Sequence, residues 1–436
     1  MSNTRGKGKF GLPELEIMEW VAIALAILGL IAVFCIFFIR RHVLEYHVEH
    51  TYGVSDPAFF GSALALTNPL PVGGNKIDLL QDGDTHFPAM LAAIRGAKKT
   101  INFQAYILHS DKVGWEFRDA LIERAKAGVE VRVLLDGIGS GWGLDNSDVD
   151  KLKEAGCKFA YYHPLRSWRL DRTNRRSHRR NLVIDGRVGF TGGVGFAKQW
   201  SGHAQDPDHW HDVQVRVEGP LVSLLQNAFE EHWIKTFGET LSGPDQFPKL
   251  APVGNIQAQV IASHSFAMAP MPLTEAISFA AAEKRIWITN AYCTPSDDQV
   301  GLLVKAVKRG VDVRFVVPGA HNDQPLTKSA GRAAYGNLLK GGVKIFEYEP
   351  TMIHTKGMVI DGMFSLIGSS NFDPRSSQIN EELDLAVYDR EFAQRMEAMF
   401  ESDVKKSKEY TLQQFNDRSL WERVTEEVML PFRSQL

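Results

Sequence analysis

HRRNLVID at His178–Asp185 and HTKGMVID at His354–Asp361 are the two stretches that decide how this chain folds. Each has the form His-x-basic-x4-Asp, with apolar residues running up to the aspartate, so each reads as a buried strand carrying its histidine at the exposed start. With 14 His, 49 Lys and Arg, and 52 Asp and Glu in 436 residues, chance gives roughly 0.2 matches to that spacing, and one copy alone is weak. Two copies at equivalent points of a duplication are strong. Working outward, AKAGVEVRVLLDG at Ala125–Gly137 parallels AVKRGVDVRFVVPG at Ala306–Gly319, and FQAYIL at Phe103 parallels ITNAYC at Ile288. Ahead of the first motif the periodicity predicts a helix over 87–98, a strand over 100–108, a helix over 113–127 and a strand over 129–135. The same order returns as helix 274–283, strand 285–292, helix 298–308 and strand 311–317. Strands alternating with helices predict an α/β fold of two duplicated halves, each a largely parallel or mixed sheet flanked by helices, with ligands at the strand ends.

The duplication leaves room for other segments. Residues 1–19 form an N-terminal tail, and 20–39 carry no charge; at 1.5 Å per helical residue this run covers about the 30 Å of a bilayer core. It reads as a retained transmembrane helix, too long for a signal peptide and running into Arg40 and Arg41 without a small-residue cleavage site. A juxtamembrane connector (40–74) precedes the first half (75–240), a Gly/Pro-rich linker (241–254) and the second half (255–404). Residues 405–436 follow as an amphipathic segment in which Leu420, Trp421, Val424, Val428 and Phe432 share a face, suited to a bilayer surface or to the protein's own core. A net charge of −3 and three cysteines exclude a globally basic chain and a disulfide framework. Basic residues do cluster locally: Arg166, Arg169, Arg172, Arg175, Arg176 and Arg179 surround Trp168, a patch read as attracting anionic headgroups ahead of nucleic acid or plain solvent.

Two histidines at the ends of buried strands suit displacement at a phosphodiester. That reaction needs a nucleophile, a proton donor to an alkoxide of high pKa, and stabilisation of phosphoryl charge. One imidazole must be neutral and the other protonated, a division that unequal carboxylate surroundings enforce. After the second motif come Gly368, Ser369, Asn371 and Glu382; after the first come Gly192, Gly193, Gly195 and Asp212.

This pattern resembles the phospholipase D superfamily, whose duplicated motif is His-x-Lys-x4-Asp-x6-Gly-Ser/Gly-x-Asn, and within it the bacterial cardiolipin synthase branch. The likeness runs over about Gly74–Val404 and includes NKIDLLQDG at Asn75, RVGFTGGVG at Arg187 and GVKIFEYEPTMIHTKGMVIDG at Gly342. It implies a phosphatidyltransferase acting on phosphatidylglycerol at the membrane, without cofactor or metal and without nucleic acid. His178 and His354 would be the catalytic pair, His178 as nucleophile and His354 as acid and base, or the reverse. Asp212 and Glu382 would each orient the histidine of their own half. Arg180, Lys356, Asn371 and Ser369 would hold the phosphate, and Asp185 and Asp361 would be structural. A bacterial inner membrane is the implied location, and the charges flanking 20–39, where Glu14, Glu16 and Glu19 offset Arg5, Lys7 and Lys9 against Arg40 and Arg41, favour a cytoplasmic catalytic region; the oligomeric state is not implied.

Two departures stand out: Arg180 replaces the usual lysine, and Gly195 replaces the usual asparagine. They leave open a first half that only scaffolds. Hydrolysis or head-group exchange, and a membrane-tethered nuclease, use the same histidines. His203, His209 and His211 with Asp206, Asp208 and Asp212 resemble metal ligands by type, but read better as a polar loop at the site's mouth.

Overall fold

The computed structural model describes residues 23, 27–29, 50, 52–56, 59, 70–164, 174–263 and 270–429. The expected transmembrane helix at 20–39 falls almost wholly outside these residues; among the described residues no helix is long and apolar enough to cross a membrane. Arg166, Trp168, Arg169, Arg172 and Phe432 also lie outside them.

In the first half the chain forms β1 (Val72–Gln81), α1 (Gly83–Gly96), β2 (Thr100–Ala105), α2 (Lys112–Lys126), β3 (Glu130–Asp136), α3 (Asn146–Glu154), β4 (Lys158–Tyr162), β5 (Asn181–Ile184), β6 (Val188–Gly192), β7 (Val213–Glu218) and α4 (Val222–Phe237). The second half repeats the plan with β8 (Ile256–Ala262), α5 (Pro270–Ala281), β9 (Arg285–Asn290), α6 (Asp297–Lys308), β10 (Asp312–Pro318), α7 (Pro325–Lys340), β11 (Lys344–Tyr348), β12 (Lys356–Ile360), β13 (Phe364–Gly368), α8 (Pro374–Gln378), β14 (Leu383–Tyr388) and α9 (Arg390–Lys405). Beyond the repeat lie β15 (Ser407–Tyr410), α10 (Leu412–Asn416) and α11 (Leu420–Met429). In the expected amphipathic tail, β15 thus joins the sheet beside β11, and α11 packs on α7 with Leu420 and Trp421 exposed.

Among the described residues the strands form one 15-stranded sheet in the order β15-β11-β10-β9-β12-β13-β14-β8-β1-β7-β6-β5-β2-β3-β4. The halves mirror one another about the antiparallel β1–β8 pair, where Val72 faces Ala258 and Asn75 faces Ile256. In each, three strands are parallel (β2-β3-β4, β9-β10-β11) and the motif strand, β5 or β12, turns antiparallel beside β2 or β9. Alternation along the strands sends apolar residues to both faces. Ile101, Phe103 and Phe117 lie in one core, Ile286, Ile288 and Phe315 in its counterpart, and Val215, Leu225, Leu385 and Phe392 in a third core that spans both halves.

Asp185 and Asp361 begin identical turns after the motif strands. Asp185 and Gly186 have φ of 52° and 60°, Asp361 and Gly362 53° and 66°, the positive-φ pair that Asp-Gly supplies at little steric cost. The Asp185 carboxylate accepts from the N–H groups of Lys98, Lys99 and Thr100, and Asp361 from those of Glu283, Lys284 and Arg285. Each thereby locks the start of the neighbouring parallel strand, at the end of the motif strand remote from its histidine.

Candidate active site

His178 and His354 sit just ahead of β5 and β12, and the backbone of the opposite half fixes both. The His178 N–H donates to the Glu381 carbonyl at 2.9 Å, and the His354 N–H to the His211 carbonyl at 2.7 Å. The side chains follow the same exchange. His178 Nδ1 meets Glu382 Oε2 at 2.8 Å, and His354 Nδ1 meets Asp212 Oδ2 at 2.6 Å. The expectation that each carboxylate serves its own half is therefore corrected: the partners are crossed. The cause is geometric, since β7 and β14 lie near the middle of the sheet and each leads from the segment that bridges to the other half's motif.

The site is recessed, with His178 7 %, His354 4 %, Lys356 2 % and Arg180 1 % exposed. Lys356 Nζ and Arg180 Nη1 each donate to the carbonyl of their own motif histidine at 2.5 Å. Burial pushes the His178 imidazole well below its ordinary value, helped by Arg180, Lys356 and Arg375. Burial and Lys356 bring His354 down to about 4 against the opposing pull of Asp212, with Arg180 adding to the shift. Each cation is thus close enough to disfavour the imidazolium of the other half, which puts all four groups in one cluster. Burial, with Arg180 nearby, lowers Lys356 to about 7.

The two acids differ. Burial works against charge on Asp212, but His354 and Lys356 outweigh it and hold the carboxylate below its usual range. Burial wins at Glu382 and raises it, despite Ser369 and Arg180. His354 consequently faces an ionised partner, and His178 a weaker one.

Ser369 was expected on the phosphate; its hydroxyl instead donates to Glu382 Oε2 at 2.6 Å and accepts the Leu383 N–H, bracing the acid behind His178. The first half has no hydroxyl there. A Cβ on Gly193 would lie 2.5 Å from Asp212 Oδ1, and one on Gly195 2.7 Å from the Trp200 ring. Gly193 thus makes room for the Asp212 carboxylate and Gly195 for Trp200, whose Nε1–H donates to Asp212 Oδ2 at 2.9 Å. Gly195 is therefore not decay of an asparagine: an indole stands over it and braces Asp212 as Ser369 braces Glu382. Asn371 sits at the start of the α8 turn, its N–H donating to Ser376 Oγ, and its side-chain oxygen is buried without a hydrogen-bond partner among the described residues.

Aromatic rings complete the walls. Tyr106 lies 4.9 Å from the His178 ring and under Arg180, while Tyr292 lies 6.0 Å from the His354 ring and under Lys356. The repeated Ala-Tyr of the two strand ends was the signal for this pair. Trp200 and Trp210 flank His354 at 5.2 and 5.4 Å. No sequence pattern pointed to them.

Two expectations about charge are corrected. Arg176 and Arg179 are not surface groups: Arg176 pairs with Asp136 at 3.0 Å, and Arg179 with Glu231 at 2.8 Å, all but Glu231 buried. His211 is likewise no mouth residue but a buried imidazole between Asp82 (2.7 Å) and Asp403 (3.4 Å). Burial opposes its charge, yet Asp403 and Asp82 prevail and raise it to about 10. His203 pairs with Asp84 and His209 with Asp206, so the histidine-rich loop is spent in separate pairs. Glu231, His232 and Glu381 come together, but Arg179 and Lys235 already neutralise them.

Two histidines, each paired with the other half's carboxylate and set among cations, define an enzyme of phosphodiester transfer. The profile of the cardiolipin synthase, PLD-like domain matches residues 90–233 and 275–404. The chain is similar to cardiolipin synthase A of Pseudomonas syringae pv. syringae, 36 % identical over 362 residues, 81 % of this chain and 73 % of that one. It is also similar to cardiolipin synthase 2 of Bacillus anthracis, 33 % identical over 354 residues, 80 % of this chain and 68 % of that one. Among solved structures it resembles phosphatidylserine synthase of Haemophilus influenzae Rd KW20, with a TM-score of 0.64 and 12 % identity over 87 % of this chain and all of that one, a likeness of fold. The chain belongs to the phospholipase D superfamily, in its cardiolipin synthase branch.

Proposed function

We propose that the protein transfers a phosphatidyl group from one phosphatidylglycerol to the hydroxyl of another, giving cardiolipin and glycerol. His178 attacks phosphorus; the bond to the glycerol oxygen breaks as His354 donates its proton to that oxygen, leaving a phosphatidyl-histidine. His354, now neutral, takes the proton from the acceptor hydroxyl, which attacks phosphorus while the P–N electron pair returns to His178. Lys356, Arg180 and Asn371 hold the non-bridging oxygens. A phosphodiester anion between the imidazoles offsets the cations that disfavour a charged His354, and so lets it carry the proton.

The crossed pairing supports this reading: each half's histidine is held by the other half's acid, and each motif's cation acts on the other's imidazole. The division of roles rests on the acids: Asp212, held below its usual range, favours a proton on His354 more than Glu382, pushed up by burial, favours one on His178. The uncharged run 20–39 supports a single membrane anchor that keeps the catalytic region at its lipid source. Incubating purified protein with phosphatidylglycerol and identifying the products tests the proposal. Cardiolipin with one glycerol per transfer is expected; phosphatidic acid alone would establish a hydrolase, and nucleotide release from single-stranded DNA a nuclease.

A further inference from the structure

Ahead of each orienting acid stands a buried ionisable residue with no part in the proton transfers: His211 before Asp212, and Glu381 before Glu382. Its carbonyl accepts the N–H of the other half's motif histidine, and its side chain crosses in the same direction. His211 Nε2 stands 3.4 Å from Asp403 Oδ2 on α9 of the second half. Glu381 Oε2 stands 3.1 Å from His232 Nε2 on α4 of the first. All four residues are buried.

The repeat identifies the two contacts as one device. FEEHWIK at Phe229–Lys235 parallels FESDVKK at Phe400–Lys406, which aligns His232 with Asp403, while the acids that follow them align His211 with Glu381. One imidazole and one carboxylate therefore meet at both places, and the helix and the incoming segment have exchanged which of them brings which. The tyrosine that ends the last parallel strand backs the imidazole each time. Tyr348 of β11 lies 5.8 Å from the His211 ring at 24°, and Tyr162 of β4 lies 4.3 Å from the His232 ring at 8°. The residue types have traded places, yet the pair and the stack are kept in both halves.

The surroundings supply charge to suit each order. Burial opposes a charge on His211, but Asp403 and Asp82, one at each ring nitrogen, raise it to about 10. Burial, then Arg179, lowers His232 to about 4, and Glu381 meets a cation in Lys235, 3.3 Å away.

We propose that these pairs are latches that seat the orienting acids: His211–Asp403 sets Asp212 against His354, and Glu381–His232 sets Glu382 against His178. Asp403 and His232 touch no reacting atom and act as positioning residues. Each two-residue segment grips the opposite half at three points: the motif N–H, the imidazole and the helix. Releasing the third lets the acid drift from its imidazole, and a misplacement of about 1 Å at a catalytic group costs about 10²-fold.

The inference rests on the reading under Proposed function, and the experiment separates the two. Stopped-flow release of nitrophenolate from bis(4-nitrophenyl) phosphate by the full-length protein reports on both histidines. The burst follows attack on phosphorus, and the steady rate follows removal of the phosphoryl group from the enzyme. Asp403→Asn should keep the burst and lower the steady rate about 10- to 100-fold, in step with Asp212→Asn. Glu381→Gln should slow the burst by a like factor, in step with Glu382→Gln. Asp403→Glu and Glu381→Asp keep a carboxylate; they should show the same split at smaller size, and they stand in for an amide variant that does not fold. Rates unchanged in both amide variants, or burst amplitude and steady rate falling equally, overturn the inference, because a merely structural pair lowers only the fraction of active protein. If Asp212→Asn and Asp403→Asn lose the burst together, the roles given to His178 and His354 are reversed and the latches stand.

Discussion

Replacing Asp212 by Asn distinguishes crossed partners from partners within one half. Asp212 Oδ2 accepts from His354 Nδ1 at 2.6 Å and from Trp200 Nε1 at 2.9 Å, and Oδ1 accepts the Val213 N–H at 2.8 Å. An amide offers one acceptor oxygen to these donors, so at least one buried N–H is stranded whichever way it turns. Loss of a charge-assisted hydrogen bond costs about 1.5–3 kcal/mol and a stranded buried donor about 1–3 kcal/mol. Together, about 2.5–6 kcal/mol corresponds to about 10²–10⁴ in turnover. The step affected identifies the histidine involved. With bis(4-nitrophenyl) phosphate the leaving group needs no proton, so Asp212→Asn should keep a stoichiometric burst of nitrophenolate and then turn over slowly. Glu382→Gln, acting on His178, should lose the burst. Stopped-flow absorbance reads both, and the reverse pattern would sink the crossed assignment.

Three further outcomes follow from the same geometry. Burial brings the Lys356 ammonium down to about 7, so KM for a phosphodiester should rise as pH climbs past 7 in wild type; Lys356→Arg, charged throughout, should flatten that profile in initial-rate measurements. Trp200→Phe removes one donor from ionised Asp212 and should slow lipid turnover about tenfold while sparing the nitrophenolate burst; an unchanged rate would deny the indole its bracing role. His211, raised from 6.5 to about 10, should contribute a stability of a few kcal/mol that is complete below pH 6.5 and lost as pH rises toward 10. Chemical denaturation at pH 6 and pH 9.5 should therefore differ more in wild type than in His211→Gln.

Much of this was legible because the repeat is written in residues. The paired His-x-basic-x4-Asp strands, the Gly128 and Gly310 helix ends at φ of 87° and 94°, and the alternating helices and strands follow from local pattern. What was not legible depends on contacts remote in sequence. Nothing in Val72–Gln81 says that it will pair with Ile256–Ala262 and fuse two sheets into one. The exchange of Asp212 and Glu382 follows from that fusion, so a reading by halves assigned them wrongly. Arg176 and Arg179 read as part of a surface patch for anionic headgroups because arginines are mostly exposed; Asp136, 40 residues upstream, and Glu231, 52 downstream, pair with them in the interior. Trp200 escaped notice because its work depends on the space left by Gly195.

The exchange of carboxylates also bears on how such a gene ages. In most tandem duplications one copy is free to drift once the other suffices. Here each repeat keeps its own histidine aligned only through a residue encoded in its sibling, so a lesion in either disables the chemistry of both. Mutational tolerance should accordingly be low and nearly equal at His178, Asp212, His354 and Glu382, despite the letters the two motifs no longer share.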